Sequence, residues 1–251
     1  MKKTSETGHS KNLANFENQI NGIELIDTKY KPQSPELQIP ALKTLHGNCK
    51  TILAAMSKAN QDYHQVTSER ELAFKPLSGL CSRTHSALIA SSATQQALDN
   101  INSIARKIRG GRAKKVSKPV AEAVPGAAVV LPEPAPKTIS VSQRSFDKRT
   151  DRFEELVTAL SLQSNYKPNE EDLTLESLQQ LVETLRGKNS AVMKASNKLS
   201  VARDARNKAL YGEGGLVAMA KKSKAYVKSV FGAKSSEYKR ISRLRYANRK
   251  I

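Results

Sequence analysis

Apolar residues set the first element of this chain. Leu13, Phe16, Ile20 and Ile23 recur at three- and four-residue steps, the spacing of one helical face. Tyr30-Lys31-Pro32 ends that helix, because the residue before proline is pushed out of the helical region. Ser34-Pro35-Glu36 then reads as a cap with proline at a first helical position. A long stripe follows, carrying Leu42, Leu45, Cys49, Ile52, Met56 and Tyr63. Unbroken to Phe74, it would make a helix of about 40 residues and roughly 60 Å. Pro40 and Gly47 are the positions at which it would bend or shorten. After a turn at Lys75-Pro76-Leu77-Ser78-Gly79, a third helix is predicted with Leu80, Leu88, Ala97, Ile101, Ile104 and Ile108.

The pattern then recurs. Phe16-Glu17 answers to Phe153-Glu154, an offset of 137 residues, and Tyr30-Lys31-Pro32 to Tyr166-Lys167-Pro168, an offset of 136. Leu37, Leu42, Leu45 and Gly79-Leu80 fall on Leu173, Leu178, Leu181 and Gly215-Leu216 at 136, and Ile101 and Ile104 on Ile241 and Leu244 at 140. The slip of four residues is close to one helical turn and keeps the same face inward. Residues 153–246 therefore read as a second copy of 16–104.

In that copy Phe153, Leu156 and Leu160 begin a helix, and Leu178, Leu181, Leu185, Val192, Leu199 and Ala202 mark the long one. Tyr211-Gly212-Glu213-Gly214-Gly215 is a turn, and Leu216, Met219, Tyr226, Val227 and Val230 form the next helix, broken at Gly232. A short basic element holds Tyr238, Ile241 and Leu244, and 242–251 reads as a tail. Between the copies, 109–145 holds Arg, Lys, Ala, Val and five prolines, a composition that buries too little surface to fold. The expected organisation is a disordered 1–10, a helical unit 11–108, a flexible basic Pro/Ala linker 109–145, a helical unit 146–246 and a basic tail 247–251.

The run Tyr226-Val227-Lys228-Ser229-Val230-Phe231-Gly232-Ala233-Lys234-Ser235-Ser236-Glu237-Tyr238-Lys239, with Ala202-Arg203-Asp204-Ala205-Arg206-Asn207-Lys208-Ala209-Leu210-Tyr211 before it, resembles the ends of a family of helical bacterial proteins with no assigned activity. The resemblance covers the second copy well and the first loosely. It implies a helical fold and carries no site.

Composition agrees with helices: few aromatics, no Trp, and an apolar content mostly of Leu, Ala, Val and Ile. The formal charge of +19 is unevenly spread. Residues 11–105 and 151–212 carry +1 and 0, whereas 106–150 carry +8 and 213–251 carry +9. Sorting of this kind suits a partner that is a polyanion. Both cysteines, Cys49 and Cys81, lie in the first copy, so the shared fold needs no disulfide. The N-terminus lacks the apolar stretch of a signal peptide, and no window approaches a membrane span. These readings predict a soluble cytoplasmic protein without a membrane partner.

Two basic runs are the candidate nucleic-acid contacts. Arg106, Lys107, Arg109, Arg112, Lys114, Lys115 and Lys118 follow the first copy; Lys239, Arg240, Arg243, Arg245, Arg249 and Lys250 follow the second. Clusters of this kind release counterions from phosphates. Tyr226, Phe231, Tyr238 and Tyr246 lie among these cations and could stack on bases, although helical spacing favours a core role. Other constellations are weaker. Glu170-Glu171-Asp172 suits the positive end of a helix dipole better than acid–base chemistry, since no base or nucleophile accompanies it. His46 and Cys49 would need Cys81 and His85 alongside to hold a metal. Gly212-Glu213-Gly214-Gly215 lacks the strand and the adjoining Lys-Ser of a phosphate loop.

The resulting expectation is an all-α protein of two tandem homologous antiparallel helical-bundle units, about three helices each, joined by a flexible linker. It is expected to be non-enzymatic, to use no cofactor or metal, and to bind nucleic acid with little sequence choice. The alternative is a scaffold that docks protein partners, or a second copy of itself, on the apolar stripes.

Overall fold

The computed structural model describes residues 8–26, 29–110 and 145–247. Among them every regular element is helical: α1 (His9–Glu24), α2 (Ile39–Phe74), α3 (Leu77–Ala90), α4 (Gln95–Arg109), α5 (Phe146–Ser161), α6 (Leu175–Tyr211), α7 (Leu216–Phe231) and α8 (Ser236–Ser242). Short 3-10 turns at Pro35–Leu37 and Glu171–Leu173 precede the two long helices. The described residues are all-α, as the periodicity predicts.

Elements in the two halves match in order and the first two also in length, whereas α4 has 15 residues and α8 has 7. Helices α1 and α5 both have 16 residues, and α2 and α6 have 36 and 37. The two Tyr-Lys-Pro turns are built alike. Tyr30 Oη donates to the Leu37 carbonyl at 2.7 Å, and Tyr166 Oη to the Leu173 carbonyl at 2.8 Å. Both rings are buried, so each hydroxyl fixes the chain entering the long helix while satisfying its own polar atom. Pro40 sits at the second position of α2, where its missing N–H costs nothing, and the helix runs on through Gly47.

Two expectations are corrected. The third helix of the first half is two helices, because Ser92 adopts a left-handed φ of 54° and Thr94 caps α4, accepting from the Ala97 N–H at 3.4 Å. Each half thus has four helices among the described residues. The pairing of Gly79-Leu80 with Gly215-Leu216 is also displaced. Gly79 lies inside α3, whereas Gly215 precedes α7. Buried Leu77, Cys81, Thr84 and Leu88 match Leu216, Ala220, Ser223 and Val227 at an offset of 139. One of the three extra residues lengthens α6 and two lie in the turn after it, where a Cβ on Gly212 would lie 2.6 Å from the Lys208 carbonyl oxygen.

The chain forms two compact units, Met1–Thr67 with Val192–Ile251, and Ser68–Ala191. This division differs from the segments 11–108 and 146–246: each unit takes elements from both halves. In the first unit, Phe16, Ile20 and Ile23 of α1 pack with Leu42 and Cys49 of α2, Leu210 of α6, Leu216, Met219 and Val227 of α7, and Ile241 of α8. In the second, Phe74, Leu77 and Leu88 pack with Ile101, Ile104 and Ile108 of α4, Phe153, Leu156 and Leu160 of α5, and Leu178, Val182 and Leu185 of α6. Helix α1 already begins at His9, within the segment 1–10 expected to lack structure. Residues 1–7 and most of the linker 109–145 lie outside the described residues.

Within the first unit, Gly22 lets α8 approach α1. A Cβ there would stand 2.9 Å from Ile241 Cγ2, whose side chain is fully buried. Gly22→Ala should therefore destabilise the protein by about 1–3 kcal/mol through overpacking. Gly47 lies mid-helix with nothing within 4 Å of its virtual Cβ, so Gly47→Ala should stabilise by about 0.5–1 kcal/mol. Denaturant titrations of both variants give the two opposite signs directly.

Candidate nucleic-acid interface

Helix α7 turns its apolar stripe inward and its lysines outward by one periodicity. Leu216, Val217, Met219, Ala220, Ser223 and Val227 are buried, while Lys221, Lys222 and Lys228 are exposed. The helix stops at Gly232, whose φ of 86° suits glycine. Exposed Lys234 follows, and Ser235 caps α8, its Oγ accepting from the Tyr238 N–H at 3.1 Å. On α8, Ile241 points into the core while Lys239 and Arg240 are exposed.

After α8 the chain is not a free tail. Residues 243–247 form a strap held by a polar stripe on α1, where Asn12, Asn15 and Gln19 occupy one helical face and are buried. The Asn12 amide donates to the Ala247 carbonyl and accepts from its N–H, both at 2.9 Å. Asn15 donates to the Arg245 carbonyl at 2.7 Å. Tyr246 Oη donates to Gln19 Oε1 at 2.8 Å, and Gln19 Nε2 donates to the Ala220 carbonyl and Ser223 Oγ. From α7, the Lys224 ammonium donates to the Leu244 carbonyl and lies 5.0 Å from the Tyr246 ring centroid. Burial pulls the Lys224 ammonium below the usual lysine range and pushes the Tyr246 phenol up. Along the strap Leu244 and Tyr246 are half-buried while Arg243 and Arg245 are exposed.

The predicted basic residues thus have different fates. Lys239, Arg240, Arg243 and Arg245 are exposed in the first unit, and none forms an ion pair with a described carboxylate. Nearby Glu237 is held below the usual carboxylate range by its own backbone N–H and the Ser236 hydroxyl, with Lys29 and Arg240 adding to the effect. Arg106, Lys107 and Arg109 lie in the second unit, in the last turn of α4, where cations offset the helix dipole. Arg109 is engaged locally, donating to Ser82 Oγ at 3.2 Å, Asn102 Oδ1 at 3.4 Å and the Ala105 carbonyl at 3.3 Å. Arg112, Lys114, Lys115, Lys118, Arg249 and Lys250 lie outside the described residues.

Charge separates with the units. The described residues of the first unit hold twenty lysines and arginines against seven acids, a net +13. Those of the second hold twelve of each, a net zero. Carboxylates there take up cations: Arg83 is paired bidentately with Asp172, Arg186 with Glu154 and Glu183, and Lys188 with Glu69 at 2.8 Å. Arg83 holds the Asp172 carboxyl below its usual range, so the Glu170-Glu171-Asp172 cluster serves an ion pair and a helix start.

Sequence reasoning missed Lys221 and Lys228, the lysines Lys194, Lys198 and Lys208 exposed on α6, and the amide stripe of α1. Three amides on one helical face read as a solvent face in the sequence, because their strap partners lie 227 to 235 residues away.

The cysteines carry no metal constellation, since the described residues include no group of three or more His, Cys, Asp or Glu able to hold an ion. Cys49 Sγ contacts the Ala209 carbonyl at 3.6 Å. Burial pushes both thiols up to about 11; Arg109 and Arg149 oppose it at Cys81 without overcoming it.

No protein-family model, no curated protein and no solved structure matches the chain. No described helix is long and apolar enough to cross a membrane.

Two predictions follow from this geometry. Asn12→Ala leaves the N–H and carbonyl of Ala247 without their partner and should cost about 1–3 kcal/mol. In limited proteolysis with trypsin, cleavage after Arg243 and Arg245 should accelerate in Asn12→Ala relative to the parent. In the native protein both thiols should react slowly with a disulfide reagent at pH 8 and fast after denaturation, which thiol titration reads directly.

Proposed function

We propose that this chain is a non-enzymatic, cytoplasmic protein that binds nucleic acid through phosphates, with little sequence choice. One observation carries the reading: the described residues of one compact unit carry a net +13 and those of the other a net zero. A protein that is basic only for solubility has no reason to separate its charge in this way. The contact surface comprises Lys221, Lys228, Lys234, Lys239, Arg240, Arg243 and Arg245, on α7, α8 and the strap. Glu237 is the single carboxylate in 216–247. Lys222 is set apart because it faces Glu36 at 3.9 Å. This narrows the two-run expectation: the second run contributes, and the described part of the first serves helix α4.

The matching helices and turns of the two halves support descent from one doubled helical module, whose copies later diverged in charge. Docking of partner helices on the long apolar stripes is the less favoured reading. Leu42, Cys49, Leu178, Leu185, Val192 and Leu199 are already buried, and Ile52, Met56 and Tyr63 are half-buried.

The test is binding of labelled DNA across a salt series. A surface contacting five to seven phosphates gives a log–log slope of about −4 to −6, with micromolar affinity near physiological salt. Replacing Lys239, Arg240, Arg243 and Arg245 together by Ala should flatten the slope by about three to four. Replacing Arg106 and Lys107 by Ala should change it by less than about one. Binding that ignores salt, or that survives the fourfold replacement unchanged while the fold is intact by circular dichroism, overturns the reading.

A further inference from the structure

We infer that the partner of the cationic surface is duplex nucleic acid, gripped by its phosphates alone, and not a single strand. The inference rests on the function proposed above and narrows its substrate.

Proteins that hold single strands combine cations with aromatic faces on which unpaired bases stack. This chain has cations without such faces. It has no Trp, and all five Phe and seven Tyr are among the described residues, with none in an exposed position. The aromatics that lie among the cations are used internally. Tyr226 meets Tyr30 edge to face at 5.2 Å between centroids. Phe231 and Tyr238 pack against the core of the first unit. Tyr246 spends its hydroxyl on Gln19 and faces the Lys224 ammonium. The amides beneath the strap are occupied as well: Asn12, Asn15 and Gln19 hold the strap and α7.

What remains outward is charge on fixed supports. Arg243 and Arg245 project from a backbone pinned by Asn12, Asn15 and Lys224, and Lys221, Lys228 and Lys239 project from helices. A fixed array suits a stiff polyanion whose phosphates hold their spacing. Phosphate density points the same way, because a duplex carries one charge per about 1.7 Å of axis. The salt slope is about −0.9 per phosphate on a duplex and about −0.7 on a single strand. With about six contacts the slopes differ by about 1.2, which at roughly 0.15 M salt is about a tenfold difference in affinity.

The full chain should be titrated by fluorescence anisotropy against one labelled duplex and each of its separated strands, at equal nucleotide concentration, over a salt series. Duplex binding about tenfold tighter and with the steeper slope supports the inference. Single-strand binding as tight as duplex binding, with tryptic protection of the strap in both complexes, overturns the inference and leaves nucleic-acid binding standing. Absence of salt-dependent binding to either probe overturns both. Tyr238→Ala supplies a second readout: unchanged duplex affinity supports phosphate-only contact, and a loss confined to single strands shows stacking and overturns it.

Discussion

The long helices α2 and α6 must be buried near both ends, at Leu42 and Phe74 and at Leu178 and Leu210, and no neighbouring helix in sequence is long enough to do it. A 36-residue helix spans about 54 Å, while a 16-residue helix spans about 24 Å. One half of the chain supplies helices of 16, 14 and 15 residues beside its long helix. The structure meets the requirement by assembling each core from both halves. Phe16 and Leu42 are buried with Leu216 and Ile241 in one unit, and Phe153 and Leu178 with Leu77 and Ile101 in the other. Leu210 at the end of α6 and Phe74 at the end of α2 are the points where each long helix enters the second core it serves.

The charge distribution follows from that assembly. By sequence, 151–212 is neutral, yet its first part, 151–191, holds eight acids against four cations, and 192–212 holds five cations against one acid. The unit boundary at Val192 cuts α6 near that change of sign. The basic end of α6 joins α7, α8 and the strap, whereas the acids of α5 and early α6 join α4 and its terminal arginines. A cation thus lies in a unit balanced in acids or in one short of them, whatever the charge of its sequence neighbours.

This also explains what could be read from the residues. Helices α1, α2, α5, α6 and α7 were legible because their apolar residues keep one period over at least four turns. The Tyr-Lys-Pro turns were legible as boundaries, but the hydrogen bond from each tyrosine to the carbonyl seven residues on was not. The break between α3 and α4 was hidden because Ser91-Ser92-Ala93-Thr94 contains neither Gly nor Pro, and the backbone turns there on a left-handed serine. The strap was hidden for a different reason. Its partners on α1 lie more than 200 residues away, and Asn12, Asn15 and Gln19 look like a solvent face until the chain returns to cover them. The lysines of α7 are visible in the sequence, but within 213–251 their composition alone gives them no surface.

The chemistry of the strap ties its packing to its charge. Buried amides are costly unless satisfied, and an apolar stripe on α1 could have packed against an apolar strap with less risk. Side-chain amides do something an apolar stripe cannot: they recognise backbone. Asn12 meets the N–H and carbonyl of Ala247, Asn15 meets the carbonyl of Arg245, and Lys224 meets that of Leu244. None of these bonds uses an outward side chain of the strap. Register is therefore fixed by Tyr246, whose hydroxyl reaches Gln19, while positions 243 and 245 carry no packing duty. Arginine can occupy both at no cost to the fold, and the segment that closes the first core also presents cations to solvent in fixed places.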